Sequence, residues 1–384
     1  MNQIKKAAAV SLAGLMGLLV PATAQAASPE FARTAKEWAA LQDNVLEYGE
    51  VPDLIEEYNV TVQNNQYEYN KFVKDYGKTR EDIANEYQSL ADDLESDISG
   101  DNDGSAMVND LSLQLQADRM REQADDTVED SQIYALTYNK QKSELSLTAK
   151  RQFIAYYRAR MDLELAKTKK QILENNMSQT EAKRQTGMAT QAEVLVSQEA
   201  VLTQEKLVSN LELEIEDTRQ KLIVMLGWKG SAQPEIGELP AVSPEDLAAV
   251  NYETDKQTAL LKNYTLQINR RKFDNALNSE NKENIRKTVS GNEKQIETSL
   301  LASYQNLLTA QMSCEQAQAD AETENRNMDL ARQKWNAGLL TGYQLAEQEA
   351  ALAEKQLEEQ KASINLLESL ETYRWDVNGL AASE

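Results

Sequence analysis

Proline is absent from two long stretches of this chain, and this absence limits the possible folds more than any other feature. No proline lies between Asp53 and Gln233, and none lies between Glu245 and Glu384. Because proline breaks helices and interrupts central strands, such stretches favour long continuous helices. Residues 228–244, at the junction, contain three prolines and two glycines. We therefore predict an all-α chain in which an extended connector joins two helical halves.

The segment that follows Thr190 carries an apolar residue at every seventh position. The residues at these positions are Val194, Val201, Val208, Ile215 and Leu222. A looser stripe follows Thr341 and consists of Tyr343, Ala350, Leu357 and Ile364. A seven-residue period is typical of helices that supercoil around a neighbour. Both halves are therefore predicted to contain long antiparallel coiled-coil hairpins, in two tandem repeats.

Each half also contains a stretch that can stop one helix and start the next. In both stretches a glycine is followed by two apolar residues and a threonine, and an acid or amide comes three residues later. Glycine suits the left-handed position that ends a helix, while the threonine and the later acid or amide form a capping box. We predict sharp hairpin turns formed by Gly187, Met188, Ala189 and Thr190 in the first half and by Gly338, Leu339, Leu340 and Thr341 in the second.

The apolar residues of these turns are expected to fix the angle between the two helices. Met188 and Leu339 should pack back on the preceding helical turn with one side and still present apolar surface at the tip. The expected hydrophobic staples are Ala189 with Val194 and Leu340 with Leu345.

The N-terminus has the three parts of a secretory signal peptide. Lys5 and Lys6 precede an apolar stretch at residues 7–20, and Ala-Gln-Ala at residues 24–26 fits a cleavage site. We expect residues 1–26 to be removed on export through the Sec pathway, which places the protein in the cell envelope: the periplasm, the outer membrane or the cell surface. No later segment has about 18 uncharged residues in a row, so no direct membrane span is evident.

Smaller breaks divide the two halves further. Glycine and polar clusters at residues 99–105 and 289–293 indicate one break in each half, and the acidic run at residues 123–132 indicates another in the first. The predicted division is a signal peptide at residues 1–26, a first helical repeat at 27–230 with its tip turn near 187–190, a connector at 231–244, and a second helical repeat at 245–384 with its tip turn near 338–341.

Charge and composition exclude several classes of function. The chain has 63 acidic and 40 basic residues, a net charge of −23, so it should repel nucleic acids and anionic lipid headgroups. It has no histidine and one cysteine, Cys314, so most catalytic and metal-binding arrangements cannot be built and no internal disulfide can form. We predict no enzyme, no cofactor and no metal site, although a calcium site or a glycosidase pair made of carboxylates alone stays open.

The order of these features resembles the TolC family of outer-membrane efflux proteins. The resemblance lies in the paired glycine-x-x-threonine turns, each followed by a long heptad helix, of which the first ends in RQKLIVMLGW at residues 219–228. The proline-rich connector and the segment DLAAVNYETDKQTALLKNYTLQINRRKFDNAL at residues 246–277 continue it. The resemblance covers most of the chain after the signal peptide.

The resemblance implies a two-repeat protomer that assembles, as a homotrimer, into a hollow α-helical tunnel. It also implies that the hairpin tips dock a periplasmic adaptor, a membrane fusion protein that serves an ABC, RND or MFS pump. Members of the family insert two long β-strands into each repeat, at places equivalent to residues 77–130 and 278–293. Here the first region has only Leu111, Leu113 and Leu115 in alternation and the second is charged throughout, whereas a spanning strand needs about 9 to 11 alternating residues. We therefore predict a TolC-like α-helical tunnel protomer without a clear β-barrel.

Several residues near the tips have both a structural and a functional interpretation. In the family, acidic residues shortly after the tip glycines line the tunnel entrance; Glu193 and Glu347 correspond to such positions, and Gln344 stands where a carboxylate is common. The simpler interpretation is that Glu193 and Gln344 cap helices and that Glu347 is a solvated surface acid. Trp335 either packs in the last helical turn or contacts the adaptor. Leu340 occupies a position that is often arginine in the family, so gating by an arginine tether is not supported.

Two functions of different classes fit this sequence. The first is the helical exit-duct component of a multi-part efflux or export system that docks its adaptor through the two tips. The second is an exported structural coiled coil, a spacer or scaffold of the cell envelope with no conducted substrate. Retention of both tip turns favours the duct, and the absence of strand patterns favours the scaffold.

Overall fold

The computed structural model describes residues 33–100 and 103–383, so the predicted signal peptide lies outside the described residues. The described chain divides into two compact units. Unit 1 comprises residues 33–38, 61–139 and 264–292, and unit 2 comprises residues 39–60, 140–263 and 293–383. Each unit combines segments from both halves of the sequence. The two tandem repeats themselves stay a prediction.

The described residues are helical almost throughout, as predicted. The helices are α1 (Ala35–Leu41), α2 (Val51–Tyr58), α3 (Val60–Tyr76), α4 (Arg80–Ser96), α5 (Gly104–Asp126), α6 (Ser131–Gln185), α7 (Gln191–Met225), α8 (Pro244–Ala248), α9 (Tyr252–Lys262), α10 (Tyr264–Asn275), α11 (Ser279–Asn336) and α12 (Gly342–Trp375). Two short strands, β1 (Val45–Leu46) and β2 (Glu235–Ile236), accompany them. With 55 and 58 residues, α6 and α11 extend for roughly 80 to 90 Å at about 1.5 Å per residue. Within residues 33–100 and 103–383, no helix combines the length and the apolar character needed to cross a membrane.

A helical hairpin, α4–α5, fills most of the region 77–130 in unit 1. Its core contains Ile83, Ala84, Tyr87 and Ala124, which are all buried. The base of the hairpin is closed by Arg80, whose guanidinium donates hydrogen bonds to the backbone carbonyls of Ala124, Asp125 and Thr127 at 2.8 to 3.2 Å. The hairpin is therefore an ordered part of the fold with its own core.

Asp130 marks the break between α5 and α6, which the acidic run at residues 123–132 predicted. Its carboxylate is fully buried and accepts hydrogen bonds from the backbone N–H of Ile133 at 3.0 Å and from the side chain of Asn275 at 2.8 Å. Arg271 forms an ion pair with it at 2.5 Å. A buried carboxylate is tolerated only with such partners. Asp130 therefore helps to hold α10 beside the start of α6 in unit 1, together with the ion pair between Lys272 and Glu129 at 2.8 Å.

In unit 2, cross-helix contacts arrange four long segments in a series. Ion pairs join α6 to α12 (Lys150–Glu371 and Lys169–Glu354, both 2.9 Å) and α6 to α7 (Lys167–Glu212, 3.0 Å, and Lys170–Glu205, 3.1 Å). The buried Cys314 of α11 contacts Ser363 of α12, with 3.6 Å between sulfur and oxygen. In both sets of ion pairs, a higher residue number in α6 is paired with a lower number in the other helix, so the paired helices are antiparallel. The resulting series α7–α6–α12–α11, here called the helix row, has α7 and α11 at its ends.

The connector is extended, as predicted, and is held in place by an N-terminal segment of unit 2. β2 pairs in parallel with β1, so that Val45 lies opposite Glu235 and Leu46 opposite Ile236. Just beyond β2, the carbonyl of Gly237 accepts a hydrogen bond from the hydroxyl of Tyr157 at 2.8 Å.

The break predicted at residues 289–293 is wrong, because α11 runs without interruption from Ser279 to Asn336. Gly291 is an exposed residue inside this helix. A single glycine in a helix costs only about 1 kcal/mol relative to alanine. The buried Ile296 and Leu300 follow within the next three turns, and their packing outweighs so small a penalty. The second half instead breaks at residues 276–278, between α10 and α11.

Candidate functional site: the two hairpin tips

The first tip ends α6 with the predicted left-handed glycine. Gly187 has φ +75°, and its N–H donates to the carbonyl of Arg184 at 3.0 Å. The N–H of Met188 donates to the carbonyl of Lys183 at 2.8 Å. These two bonds form a Schellman motif, which satisfies the free carbonyls at a helix end.

Thr190 then starts α7 with the predicted capping box. Its hydroxyl accepts from the N–H of Glu193 at 3.3 Å, and the Glu193 carboxylate accepts from the N–H of Thr190 at 2.6 Å. The backbone and hydroxyl hydrogen bonds of Thr190 lower the pKa of the Glu193 carboxyl below its usual value. The structural interpretation of Glu193 is thus confirmed, and its carboxylate stays charged at neutral pH.

The second tip repeats this backbone. Gly338 has φ +70° and donates to the carbonyl of Trp335 at 2.9 Å, while Leu339 donates to that of Lys334 at 2.8 Å. Thr341 caps α12: its hydroxyl accepts from the N–H of Gln344 at 3.2 Å, and the Gln344 side-chain oxygen accepts from the N–H of Thr341 at 2.9 Å. Both predicted turns are therefore confirmed in their hydrogen bonds.

The expectation that Met188 and Leu339 pack back on the preceding turn is wrong. Their side chains are 74% and 75% exposed. The following residues, Ala189 and Leu340, are half-buried, which suits the predicted staples. At each turn the residue before the cap therefore makes the packing contacts, and the apolar side chain of Met188 or Leu339 protrudes from the tip. Isolated exposed apolar residues are common, but here both occupy the same position in two matching turns.

The second tip carries aromatic surface that the first lacks. Trp335 is only about half packed into the last turn of α11, with 47% of its surface exposed, and Tyr343 is exposed in the first turn of α12. A hydrogen bond with Glu347 raises the pKa of the Tyr343 hydroxyl above its usual value. Glu347 is thus a partnered surface acid. The exposed aromatic pair could have been found in the sequence, because both residues lie within five positions of Gly338.

The predicted heptad seam of α7 faces its neighbours. Val194, Val208 and Leu222 are buried, while Val201 and Ile215 are half-buried. Next to this seam, the side-chain amide of Gln204 donates to the carbonyl of Ala166 in α6 at 3.0 Å. The seam therefore serves the packing of the hairpin within one chain.

Both end helices of the helix row carry a further apolar stripe that the heptad analysis missed. The α7 stripe consists of Leu195, Leu202, Leu213 and Val224, and the α11 stripe consists of Leu301, Leu308, Met312 and Leu330; all eight are exposed. Spacings of four, seven, eleven and eighteen residues are close to whole numbers of helical turns, so each set lies along one face. The signal was present in the sequence as apolar residues that fall outside the seam positions.

Side-chain clusters that could bind a metal were also sought near these surfaces, in the part of the chain that the structure describes. Within the residues that the structure describes, no group of three or more His, Cys, Asp or Glu side chains is placed to hold a metal ion. Cys314, the one cysteine of the sequence, is buried.

Comparison with known proteins gives structural but no sequence relatives. No family model matches the sequence, and no curated protein is similar enough to be recognised as a relative. Among solved structures, a membrane protein from Pseudomonas aeruginosa is similar with a TM-score of 0.58 at 9% identity, covering 86% of this chain and 90% of that one. The outer-membrane channel OprN is similar with a TM-score of 0.53 at 11% identity, and the match covers 89% of this chain and 92% of that one. CusC, whose structures concern folding and transmembrane channel formation, is similar with a TM-score of 0.50 at 8% identity. The match covers 86% of this chain and 92% of that one.

Identities this low carry information about the fold alone. The likeness extends over most of each chain, so it concerns the whole architecture and not a single helical hairpin. This chain therefore has the long-helix fold of the TolC-family outer-membrane channels, as the resemblance in its sequence predicted.

Proposed function

We propose that the protein is a TolC-like exit duct, a non-enzymatic helical component of a multi-part efflux or export system in the cell envelope. Three copies close a ring around a hollow axis, and the two tips of each copy dock a periplasmic adaptor of the membrane-fusion type. The adaptor in turn serves a pump of the ABC, RND or MFS type. The fold of the chain and its surfaces support this proposal.

The apolar stripes at the two ends of the helix row carry the proposal. Full burial of one leucine-sized side chain contributes roughly 1.5 to 3 kcal/mol, so eight such residues left in water represent a large unused stabilisation. If the α7 stripe of one copy packs on the α11 stripe of the next, the contact is heterologous, and repeated contacts of this kind form a ring when the rotation between copies closes. A ring is the arrangement that a conduit requires.

The tips supply the docking surface of the proposed duct. Met188 and Leu339 protrude at equivalent positions, and Trp335 and Tyr343 extend the apolar surface of the second tip. Aromatic side chains in particular are enriched among the residues that dominate binding energy at protein interfaces. The docking residues we assign are Gly187, Met188, Ala189, Thr190, Gly338, Leu339, Leu340 and Thr341.

Glu193, Gln344 and Glu347 are proposed to line the tunnel entrance that the tips surround. Their capping and hydrogen-bonding roles are compatible with this position, because all three are exposed. The Glu193 carboxylate remains charged while it caps α7, so it would favour cations at the entrance.

Ring formation is tested best by changing the α7 stripe. Protein lacking residues 1–26 should form a closed oligomer with a hollow axis, and Leu202→Gln/Leu213→Gln should weaken its assembly by at least about 100-fold, since two buried leucines are lost at every contact. Leu207→Gln is the matched control, because Leu207 is exposed on another face of the same helix. Light scattering and electron microscopy measure both. A monodisperse monomer or a solid two-stranded rod at micromolar concentration would contradict the duct and favour the envelope scaffold.

A further inference from the structure

The α4–α5 hairpin of unit 1 presents an apolar patch near its turn. Met107, Val108, Leu111 and Leu115 lie in the first three turns of α5 and are 52% to 70% exposed. We call these four residues the α5 patch. Its members follow one another at helical spacing and therefore share one face of the helix.

The α5 patch takes no part in the packing of its own hairpin. Ala117 and Ala124 of α5 are buried, and Leu113 is half-buried. On a helical projection these residues point away from the patch, toward α4. The hairpin core is therefore complete without the patch, and stability of the hairpin does not explain four apolar residues on the opposite face.

The surroundings of the α5 patch are unusually free of charge for so acidic a protein. Between Gly104 and Ala117 the only charged residue is Asp110. Its carboxylate already accepts hydrogen bonds from the N–H of Ser99 at 3.1 Å, the N–H of Gly100 at 2.9 Å and the hydroxyl of Ser99. The exposed neighbours Asn109, Ser112 and Gln116 are neutral. Further along the same face the charges return, at Asp118, Arg119 and Glu122.

This chemistry argues against two of the possible occupants. A helix that binds a lipid surface is typically rich in Lys and Arg and carries aromatic anchors, whereas the basic residues of the hairpin are Arg80, Arg119 and Arg121, none of them within the patch. Arg80 is bonded to backbone carbonyls and Arg121 is paired with Glu95 at 2.5 Å. A cationic partner would need free acids beside the apolar residues, whereas Asp110 is bonded to Ser99 and Gly100, and Asp103, just before the helix, is bonded to Ser105. A neutral apolar surface fits an equally neutral one.

We propose that the α5 patch is a contact surface between copies of this chain, at which hairpins of neighbouring copies pack on one another. The inference rests on the proposed duct, because ring closure brings one hairpin from each copy to the same level of the assembly. The charge-free patch lets these contacts form, while the acidic remainder of each hairpin stays in solvent. Identical acidic surfaces would otherwise repel each other.

The size of the α5 patch fits a contact that depends on the ring. Its exposed apolar area is on the order of 400 Å², comparable to the largest apolar patches on monomeric proteins. A stable free-standing complex buries about 800 Å² per partner. The patch alone is therefore too small to hold two free chains together, but it adds stability once the chains are already tethered in a ring.

Cross-linking tests proximity directly. In a Cys314→Ser background, Val108→Cys treated with a short bismaleimide linker should give covalent dimers, the largest product that one thiol per copy allows, whereas Gln88→Cys, exposed on α4, should give few. A ring that forms but does not cross-link through Val108→Cys overturns this inference and leaves the proposed duct intact. A chain that stays monomeric by light scattering overturns both.

A second variant tests the energetic role of the same surface. Val108→Lys/Leu111→Lys should raise the protein concentration at which the ring dissociates by about 10-fold or more, and Gln88→Lys/Gln123→Lys adds the same charge to the hairpin as the control. Circular dichroism should be unchanged in both, since all four positions are exposed. Equal ring stability in the two variants would overturn the inference. A further control is flotation with phosphatidylcholine vesicles. If the unaltered protein floats with the vesicles and Val108→Lys/Leu111→Lys does not, the patch binds lipid, and the inference is also overturned.

Discussion

The two hairpin tips have the same backbone and different surfaces. Gly187 and Gly338 have φ values of +75° and +70°, and the same pairs of hydrogen bonds close both turns. At equivalent positions, 151 residues apart, the first tip has Arg184, which is paired with Glu181 at 2.6 Å, where the second has the half-exposed Trp335.

The capping residues of the two tips also share their geometry and differ in their charge. Glu193 closes the first capping box with a carboxylate, and Gln344 closes the second with a neutral amide. A turn that only reverses the chain needs the backbone and the cap, and both tips keep these. The side chains that point outward differ, so the proposed docking function predicts that the two tips contact different parts of the adaptor.

The largest expected effect concerns the protruding apolar residues. Met188→Asp/Leu339→Asp should weaken binding to a periplasmic adaptor encoded beside this protein by at least about 100-fold, because two apolar contacts are replaced by buried charges. Of the single variants, Leu339→Asp should cost roughly 10-fold or more and Met188→Asp clearly less, since Leu339 has the aromatic neighbours Trp335 and Tyr343. Interferometry with purified adaptor measures all three.

Circular dichroism provides the control for this series, because Met188 and Leu339 are exposed and the helices should form in every variant. Unchanged adaptor binding by a well-folded double variant would remove the docking assignment. Equal losses in the two single variants would show that the aromatic surface of the second tip adds nothing.

A smaller effect, equal at both tips, is expected from the glycines. Gly187→Ala and Gly338→Ala should each destabilise the turn by about 1 kcal/mol, because an L-residue is disfavoured at positive φ. No atom lies within 4 Å of a β-carbon at either position, so the cost is conformational alone. Hydrogen exchange of the tip amides should become roughly 5-fold faster in both variants.

Gly291→Ala is the matched control, and its expected effect on stability has the opposite sign. It lies in the interior of α11 and also has open space around a β-carbon. Alanine there should slow local exchange, because it is the better helix former by up to about 1 kcal/mol. A clear difference between the two tip variants would show that the turns do not share one backbone.

The smallest expected effect is a pH dependence confined to the first tip. Hydrogen bonds from Thr190 hold the pKa of Glu193 below its usual value of 4.5, so its contribution to the turn is present above that pH and is lost as the pH falls through the lowered pKa. Gln344 does not titrate. As the pH falls through the lowered pKa of Glu193, the corrected protection of the Thr190 amide should therefore fall relative to that of Thr341.

Exchanging the caps should move this pH dependence from one tip to the other. Glu193→Gln should abolish it at the first tip, and Gln344→Glu should create it at the second. Equal protection of the Thr190 and Thr341 amides throughout an acid titration of the unaltered protein would contradict the charged cap.

The sequence predicted those parts of the site that depend on near neighbours. The capping boxes join residues three positions apart, and the Schellman bonds join residues three and five apart, so the letters around Gly187 and Gly338 were sufficient. The long helices and the α7 seam followed for the same reason, because a seven-residue period is visible in a single segment.

The sequence did not predict features that depend on contacts with residues beyond the local segment. The extent to which Met188 and Leu339 protrude could not be read from the sequence, because either a packed or an exposed side chain satisfies the same turn hydrogen bonds. The continuity of α11 through Gly291 was missed because local propensity assigns a small penalty there, and packing further along the helix outweighs it.

By itself, the sequence of this protein determined where α6 and α11 end, where α7 and α12 begin and which residues cap them, since these features arise from hydrogen bonds and spacings within a few residues. The tertiary structure alone decided which apolar faces were used up in packing. It showed that the α7 seam is covered within the chain, whereas the stripes on α7 and α11 and the α5 patch are not. The physical reason is that burial depends on which helices become neighbours, and ion pairs such as Lys150 with Glu371 join residues more than 200 positions apart.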